Sequence, residues 1–261
     1  MLMEHVLQKN RAWLIAHDDQ SLSSDQSERF DSLVRQRRNG QPMAYLLGER
    51  EFMGRLFHVS PAVLIPRPET ELLVETGLAC LANHQPASGA ASVLDLGTGS
   101  GIIAISMACN RAELHVMATD VSQAALEVAK RNACLHHVQI DFRPGSWYQA
   151  LPTGAEFDLI LSNPPYIQEG DEHLFQGDLR HEPRGALTDG ADGLSAIREI
   201  VQGAVKHLKT GGWLWVEHGY NQAEQVRLIF NQHGFMGIES KTDLAGIPRI
   251  TGGRLLPNQR V

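Results

Sequence analysis

The chain has 261 residues, 43% hydrophobic and 20% charged, enough to bury a sizeable core in one large domain or in one domain plus a small one. Its formal net charge is −7, and the one dense basic cluster, Arg35, Arg37 and Arg38, sits where a helix ends, so a protein gripping a long phosphate backbone is disfavoured. No apolar run approaches the roughly 18 residues of a membrane span and no charged-then-apolar leader opens the chain, which points to the cytoplasm. Cys80, Cys109 and Cys134 are too scattered for a zinc knuckle or redox pair and read as buried inert thiols in helices. The histidines lack metal-ligand spacing, and His136-His137 reads as a surface turn, so no metal is expected.

In chain order, residues 1 to about 40 read as helices. Leu2, Val6 and Leu7 begin an apolar face, Trp13 to Ile15 extend it, and Ser24 or Asp25 is the candidate cap of a helix carrying Phe30, Leu33 and Val34. Gly48, Gly54 and Pro61 punctuate short strands around Phe52, Phe57 and Val59, which predicts a hairpin connector over 48–65. Two prolines in Ile65-Pro66-Arg67-Pro68-Glu69-Thr70-Glu71 fix an extended entry to a helix ending near Ala82. Residues 84–91 read as a small-residue loop.

From Ser92 onward strands alternate with helices, the pattern of a parallel sheet covered on both faces. The expected strands are 92–96, 114–119, 137–142, 157–162, 213–218, 235–240 and one near 249–256. Expected helices are 102–109, 122–134, 194–208 and 221–233. The connection 167–193, rich in Gly, Asp and Glu, is too long for an ordinary βα loop and suggests a lid or clamp.

Two motifs carry chemistry. Val93 to Leu96 runs as an apolar strand into Gly97-Thr98-Gly99-Ser100-Gly101 and a helix, the crevice where open α/β sheets bind nucleoside-bearing ligands. The sixth position from Gly97 is Ile102, so the dinucleotide fingerprint fails, and no GKS or GKT follows for a phosphate loop. Asp95 is placed to attract the cationic sulfonium or the amino group of S-adenosyl-L-methionine. Asp120, ending the second strand, is placed to accept from both ribose hydroxyls. Alone, the glycine run is equally a turn beside a helix-capping acid; paired with Asp120 it favours the cofactor. Trp147, after the third strand, is either an adenine-packing ring or a core side chain.

The second motif is Asn163-Pro164-Pro165-Tyr166, directly after the fourth strand. Two prolines cannot extend a sheet ladder, and they fix the backbone rigidly. The Asn163 side-chain oxygen and the Pro164 carbonyl offer two acceptors for an NH2 group, and Tyr166 offers a flat wall. Such a pair aims a nitrogen lone pair at a methyl and stabilises the charge that develops on attack. In-line placement supplies on the order of 7–11 kcal/mol to a poor amide nucleophile. A carboxylate would meet acceptors instead of donors, a mismatch worth about 10⁴-fold in discrimination. The rival structural reading is a proline-rich turn closing a strand.

At these residues the chain resembles the release factor glutamine methyltransferases, the PrmC/HemK family, from about Val6 to Arg254. The matching segments are Gly48 to Phe57, Val63 to Glu71, Asp95 to Gly101, Asn163 to Tyr166, and Glu217-His218-Gly219. The Asn-Pro-Pro-Tyr motif is shared with adenine- and guanine-modifying enzymes, whereas Pro-Arg-Pro-Glu-Thr-Glu is far more specific; a sister family acting on a ribosomal protein glutamine usually differs there. The resemblance implies a Rossmann-like class I methyltransferase fold with a mostly parallel seven-stranded sheet over 66–261. It also implies a helical domain over 1–47 that helps recognise the partner. The implied reaction moves a methyl from S-adenosyl-L-methionine to the side-chain N5 of the glutamine in the Gly-Gly-Gln motif of class I peptide chain release factors. In that reading Gly97 to Gly101, Asp120 and Trp147 hold the cofactor, Asn163 touches both ligands, and Asn163 to Tyr166 grip the glutamine. The expected protein is a monomer without direct nucleic-acid binding. Two departures from the family pattern stand out: a front domain that looks one or two helices short, and Ser146 where some members carry an acid. Rival functions are a methyltransferase acting on a ribosomal protein glutamine or on an exocyclic amine of a nucleic-acid base, and a binding protein that keeps the fold without catalysis.

Overall fold

The computed structural model describes residues 1–82 and 89–256. Four helices open the chain: α1 (Leu2–Leu7), α2 (Arg11–Ala16), α3 (Ser24–Arg38) and α4 (Met43–Leu47). The cap of α3 is Ser23, one residue before the expected pair: its hydroxyl accepts from the Gln26 N–H while the Gln26 side chain accepts from the Ser23 N–H, closing a capping box. The expected connector hairpin forms as β1 (Glu49–Phe52) and β2 (Arg55–His58), antiparallel, with Met53 and Gly54 both at positive φ (48° and 73°) in the two-residue turn. Phe52 and Phe57 point inward and are fully buried.

The rest of the chain supplies α5 (Glu71–Ala82), β3 (Ser92–Leu96), α6 (Ile102–Asn110), β4 (His115–Asp120), α7 (Gln123–Leu135), β5 (Asp141–Pro144), β6 (Phe157–Ser162), α8 (Ser195–His207), β7 (Leu208–Glu217), α9 (Ala223–Gln232), β8 (Met236–Thr242) and β9 (Pro248–Arg254). The seven strands order as β5-β4-β3-β6-β7-β9-β8, with β9 antiparallel to both neighbours and the other pairings parallel. This is the mostly parallel sheet that the strand-helix alternation predicts. Two strands differ in extent. β5 begins at Asp141 instead of 137, because His137 turns at φ 55° and only 141–144 meets the carboxyl half of β4. β7 begins at Leu208, five residues early, with a register shift against β6 between Phe157 and Leu159.

All six residues of β6 are buried, as a central strand covered on both faces requires. Leu159 and Leu161 join Leu73, Val74, Ile105, Met107 and Trp215 on one face, while Ile160 joins Ile197, Ile200, Leu214 and Phe230 on the other. Helix α8 presents Ile197, Ile200, Val201 and Ala204 on one stripe, the spacing of an amphipathic helix. Of the three cysteines, Cys80 and Cys109 are half-buried; Cys134 is exposed, contrary to the buried reading, because its place on α7 faces away from the sheet. The loop expected over 84–91 lies mostly outside the described residues. Among the described residues no helix is long and apolar enough to cross a membrane.

Candidate active site

Strand order reverses at the junction of β3 and β6, and ligands of open α/β sheets bind outside the carboxyl ends at such a point. There the turn after β3, the end of β4, the turn after β5 and the segment after β6 surround one cavity. Gly97, Thr98, Gly99, Ser100, Asp120, Trp147, Asn163 and Pro165 all line it, so the two motifs share a wall.

The carboxylate of Asp120 is tied down by two backbone donors, Gly99 N–H to Oδ2 and Ser122 N–H to Oδ1, each at 2.8 Å. Each oxygen keeps acceptor capacity toward the cavity. Burial raises its pKa, and the two backbone bonds oppose that shift. Trp147 lies over the glycine turn: a Cβ on Gly97 would stand 3.2 Å from its ring. The residue sits at φ 44°, a strained conformation for a bulky side chain, of the kind that clusters at binding sites.

Four expected site residues are not on the wall. Asp95 is fully buried behind the turn, so it does not reach a ligand directly. Its Oδ2 accepts from the Thr98 hydroxyl at 2.6 Å and from the Ala104 N–H at 3.2 Å, which makes it the clamp of the turn and the first helical residues. Burial lifts its pKa to about 7. Gly101 is also buried: a Cβ there would meet Ile105 at 2.8 Å and Ala129 at 3.2 Å, so its lack of a side chain admits α7 against α6. Pro164 is buried, and Tyr166 is half-buried with its hydroxyl on Glu217.

Residues that local reasoning had not picked complete the cavity: Val63, Leu64, Pro66, Arg67 and Thr70 before α5, and Pro183 and Ala186 from the long connection. That connection is folded back by Glu182, whose carboxylate accepts from the Ile65 N–H at 2.9 Å and from the Arg67 guanidinium. The Asn163 amide nitrogen donates to the Thr70 hydroxyl at 3.1 Å, and that hydroxyl donates to Glu217, buried at the end of β7, at 2.7 Å. The Pro-Arg-Pro-Glu-Thr-Glu and Glu-His-Gly segments were the only signals of these partners, visible through the family resemblance and not through spacing.

The donor set fits a nucleoside bearing a cationic sulfur. Asp120 offers acceptors to a diol, and Ile102, Val121 and Trp147 offer apolar surface to a base. No group of three side chains among the described residues is arranged to hold a metal. Fold and cavity together define an S-adenosyl-L-methionine-dependent class I methyltransferase. Residues 71–190 match the Methyltransferase small domain family, and residues 1–48 match the PrmC N-terminal domain family. A release factor glutamine methyltransferase of Bordetella pertussis is 52% identical over 98% of this chain and 93% of its own length, and one of Neisseria gonorrhoeae is 47% identical over 98% and 92%. The chain belongs to the release factor glutamine methyltransferase family. In fold alone it is also similar to a ribosomal protein L11 methylase of Lactobacillus delbrueckii subsp. bulgaricus, at 20% identity with a TM-score of 0.53 over 72% of this chain and 80% of that one.

Proposed function

We propose that this protein transfers a methyl group from S-adenosyl-L-methionine to the side-chain N5 of the glutamine in the Gly-Gly-Gln motif of class I peptide chain release factors. One observation carries the reading: Asn163 and Pro165 stand on the same cavity wall as the glycine turn and Asp120, so an amide accepted by Asn163 and flanked by Pro165 lies beside a cofactor held by the turn and Asp120. When bound, S-adenosyl-L-methionine supplies an electrophilic methyl on a positively charged sulfur. Gly97, Thr98, Gly99, Ser100, Asp120 and Trp147 hold it, with Asp95 and Gly101 shaping the turn from behind.

The glutamine NH2 donates to the Asn163 side-chain oxygen and the Pro164 carbonyl, with Pro165 and Tyr166 flanking the planar amide. Two acceptors on one nitrogen favour the developing ammonium-like charge over the neutral amide, and fixed geometry removes most of the entropic cost of attack. The domain over 1–47 contributes to release-factor recognition, and the hairpin over 48–65 carries it on the catalytic domain 66–261. The PrmC N-terminal domain match over residues 1–48 supports this division, and Arg37 on α3 pairs with Asp178 in the long connection at 3.2 Å across it.

The deciding experiment offers labelled cofactor with either a class I release factor or stripped RNA and locates the product by mass spectrometry. Label on the Gly-Gly-Gln glutamine is expected; label in RNA alone would transfer the assignment to nucleic-acid bases. Asn163→Ala is expected to keep cofactor affinity within about tenfold while turnover drops by a factor on the order of 10² or more, the usual cost of one oriented polar group at a reacting centre.

A further inference from the structure

We propose that Glu217, acting through Thr70, is a positioning residue that fixes which end of the Asn163 amide faces the substrate. The inference rests on the reading that Asn163 accepts from the substrate NH2.

An asparagine amide presents nearly the same shape whichever way it is turned, so sterics alone do not choose between its oxygen and its nitrogen. Here the choice follows from a chain of donors. A carboxylate can only accept, so the Thr70 hydroxyl, 2.7 Å from Glu217 Oε2, spends its single proton on that oxygen. Toward Asn163, 3.1 Å away, the Thr70 oxygen can then only accept, and the atom facing it must be Nδ2. Asn163 Oδ1 is thereby left for the cavity, where an NH2 group needs an acceptor. The other carboxylate oxygen, Oε1, takes the Tyr166 hydroxyl at 3.3 Å, so the same acid also sets the ring that flanks the amide. Tyr166 stays a donor, because burial and the neighbouring Glu217 raise its pKa.

Thr70 and Glu217 are almost inaccessible to water, at 0% and 1% exposure, so no solvent molecule substitutes for either link. A buried carboxylate held mainly by two hydroxyls is costly, so its presence here calls for a requirement that offsets the cost. The requirement comes from the direction of the hydrogen bonds. Once Glu217 is protonated it can donate to Thr70, the hydroxyl proton is released toward Asn163, and the reversed amide becomes equally well satisfied. Burial pushes Glu217 up to about 7, with Glu69 adding to the rise and the Thr70 and Tyr166 hydroxyls and the Arg249 guanidinium opposing it. Arg249 is itself engaged by Asp243 and lies 3.9 Å from Glu69.

The test measures kcat and KM for a release factor, cofactor affinity and thermal unfolding in the full-length enzyme and in Thr70→Val, Thr70→Ser and Glu217→Gln. Valine keeps the shape of threonine without the hydroxyl; serine keeps the hydroxyl. Expected is a kcat loss of tenfold or more in Thr70→Val and Glu217→Gln, with cofactor affinity held within threefold and folding retained, and recovery of most turnover in Thr70→Ser. The wild-type kcat rises with pH through an apparent pKa near 7 that Glu217→Gln abolishes. A kcat loss below tenfold, a loss matched by equal loss of cofactor affinity or of folding, failure of serine to rescue, or an unchanged pH profile would each overturn the proposal. Wild-type enzyme that leaves the release factor unmethylated would instead overturn the functional reading on which it rests.

Discussion

Single side chains in this cavity act through the atoms they leave free as much as through those they engage. Asp120 illustrates the point. Both its oxygens already accept from backbone N–H groups of Gly99 and Ser122, and those bonds fix its plane before any ligand arrives. Asp120→Asn replaces one acceptor by an NH2 that must face one of those two donors, so the side chain is either expelled or rotated. Cofactor affinity is expected to fall about 10- to 100-fold, the cost of roughly 1.5–3 kcal/mol associated with one charge-assisted hydrogen bond, while the unfolding midpoint changes little. Titration calorimetry with the demethylated cofactor checks this; unchanged affinity would remove Asp120 from the binding set. The position of Asp120 was legible from its place at the end of an apolar run. Asp95 was expected beside the ligand and lies buried behind the turn, because a carboxylate at a strand end has the same sequence signature whether it points out to a ligand or back into the turn it clamps.

At the level of elements, the alternation of apolar runs with amphipathic stretches located the strands and helices of the main domain within a few residues. The hairpin was legible too, since Gly54 supplies the positive φ that its turn needs. What sequence did not reveal is how the hairpin is fastened to the sheet, because that depends on a residue in the middle of α7. Asn132, fully buried, accepts from the His58 N–H at 2.7 Å and donates to the His58 carbonyl at 3.0 Å and the Ser100 carbonyl at 2.8 Å. One side chain thus ties the connector to the cofactor turn. A polar residue on the inner face of a helix reads as an interruption of the apolar stripe until its partners, 74 and 32 positions away, are known. Asn132→Ala leaves those backbone groups unpaired in a dry site and is expected to cost about 2–4 kcal/mol. In urea unfolding the midpoint should drop with the slope unchanged; a loss under about 1 kcal/mol would mean that the Phe52 and Phe57 packing holds the hairpin without it.

Over the whole molecule, acidic groups collect at the carboxyl edge of the sheet: Asp95 at the end of β3, Asp120 at the end of β4 and Glu217 at the end of β7. Burial raises all three, Asp95 from 3.8 and Glu217 from 4.5, each to about 7. A raised carboxylate binds its proton more tightly in the folded chain than in the unfolded one. Its penalty is therefore absent below the unfolded value and complete above the folded value, so stability falls as pH rises from about 4 to about 7. At about 1.4 kcal/mol per pKa unit the combined effect is several kcal/mol. Fully buried His218 works in the opposite sense: its lowered pKa keeps it neutral while the unfolded chain gains a proton, so it removes stability as pH drops below about 6.5. Exposed acids such as Asp192, held at about 2 by Arg198, titrate below this window and leave it undisturbed. The double variant Asp95→Asn/Glu217→Gln removes two of the three penalties and leaves those of Asp120 and His218 in place. Urea unfolding of the cofactor-free protein should show wild type losing stability between pH 5.5 and pH 8, and the double variant losing less and standing more stable than wild type at pH 8. Equal stability of the two proteins at pH 8 would mean that the carboxyl edge already neutralises its own charge. In the expected case the edge carries buried charge at pH 8 whose cost the two substitutions remove.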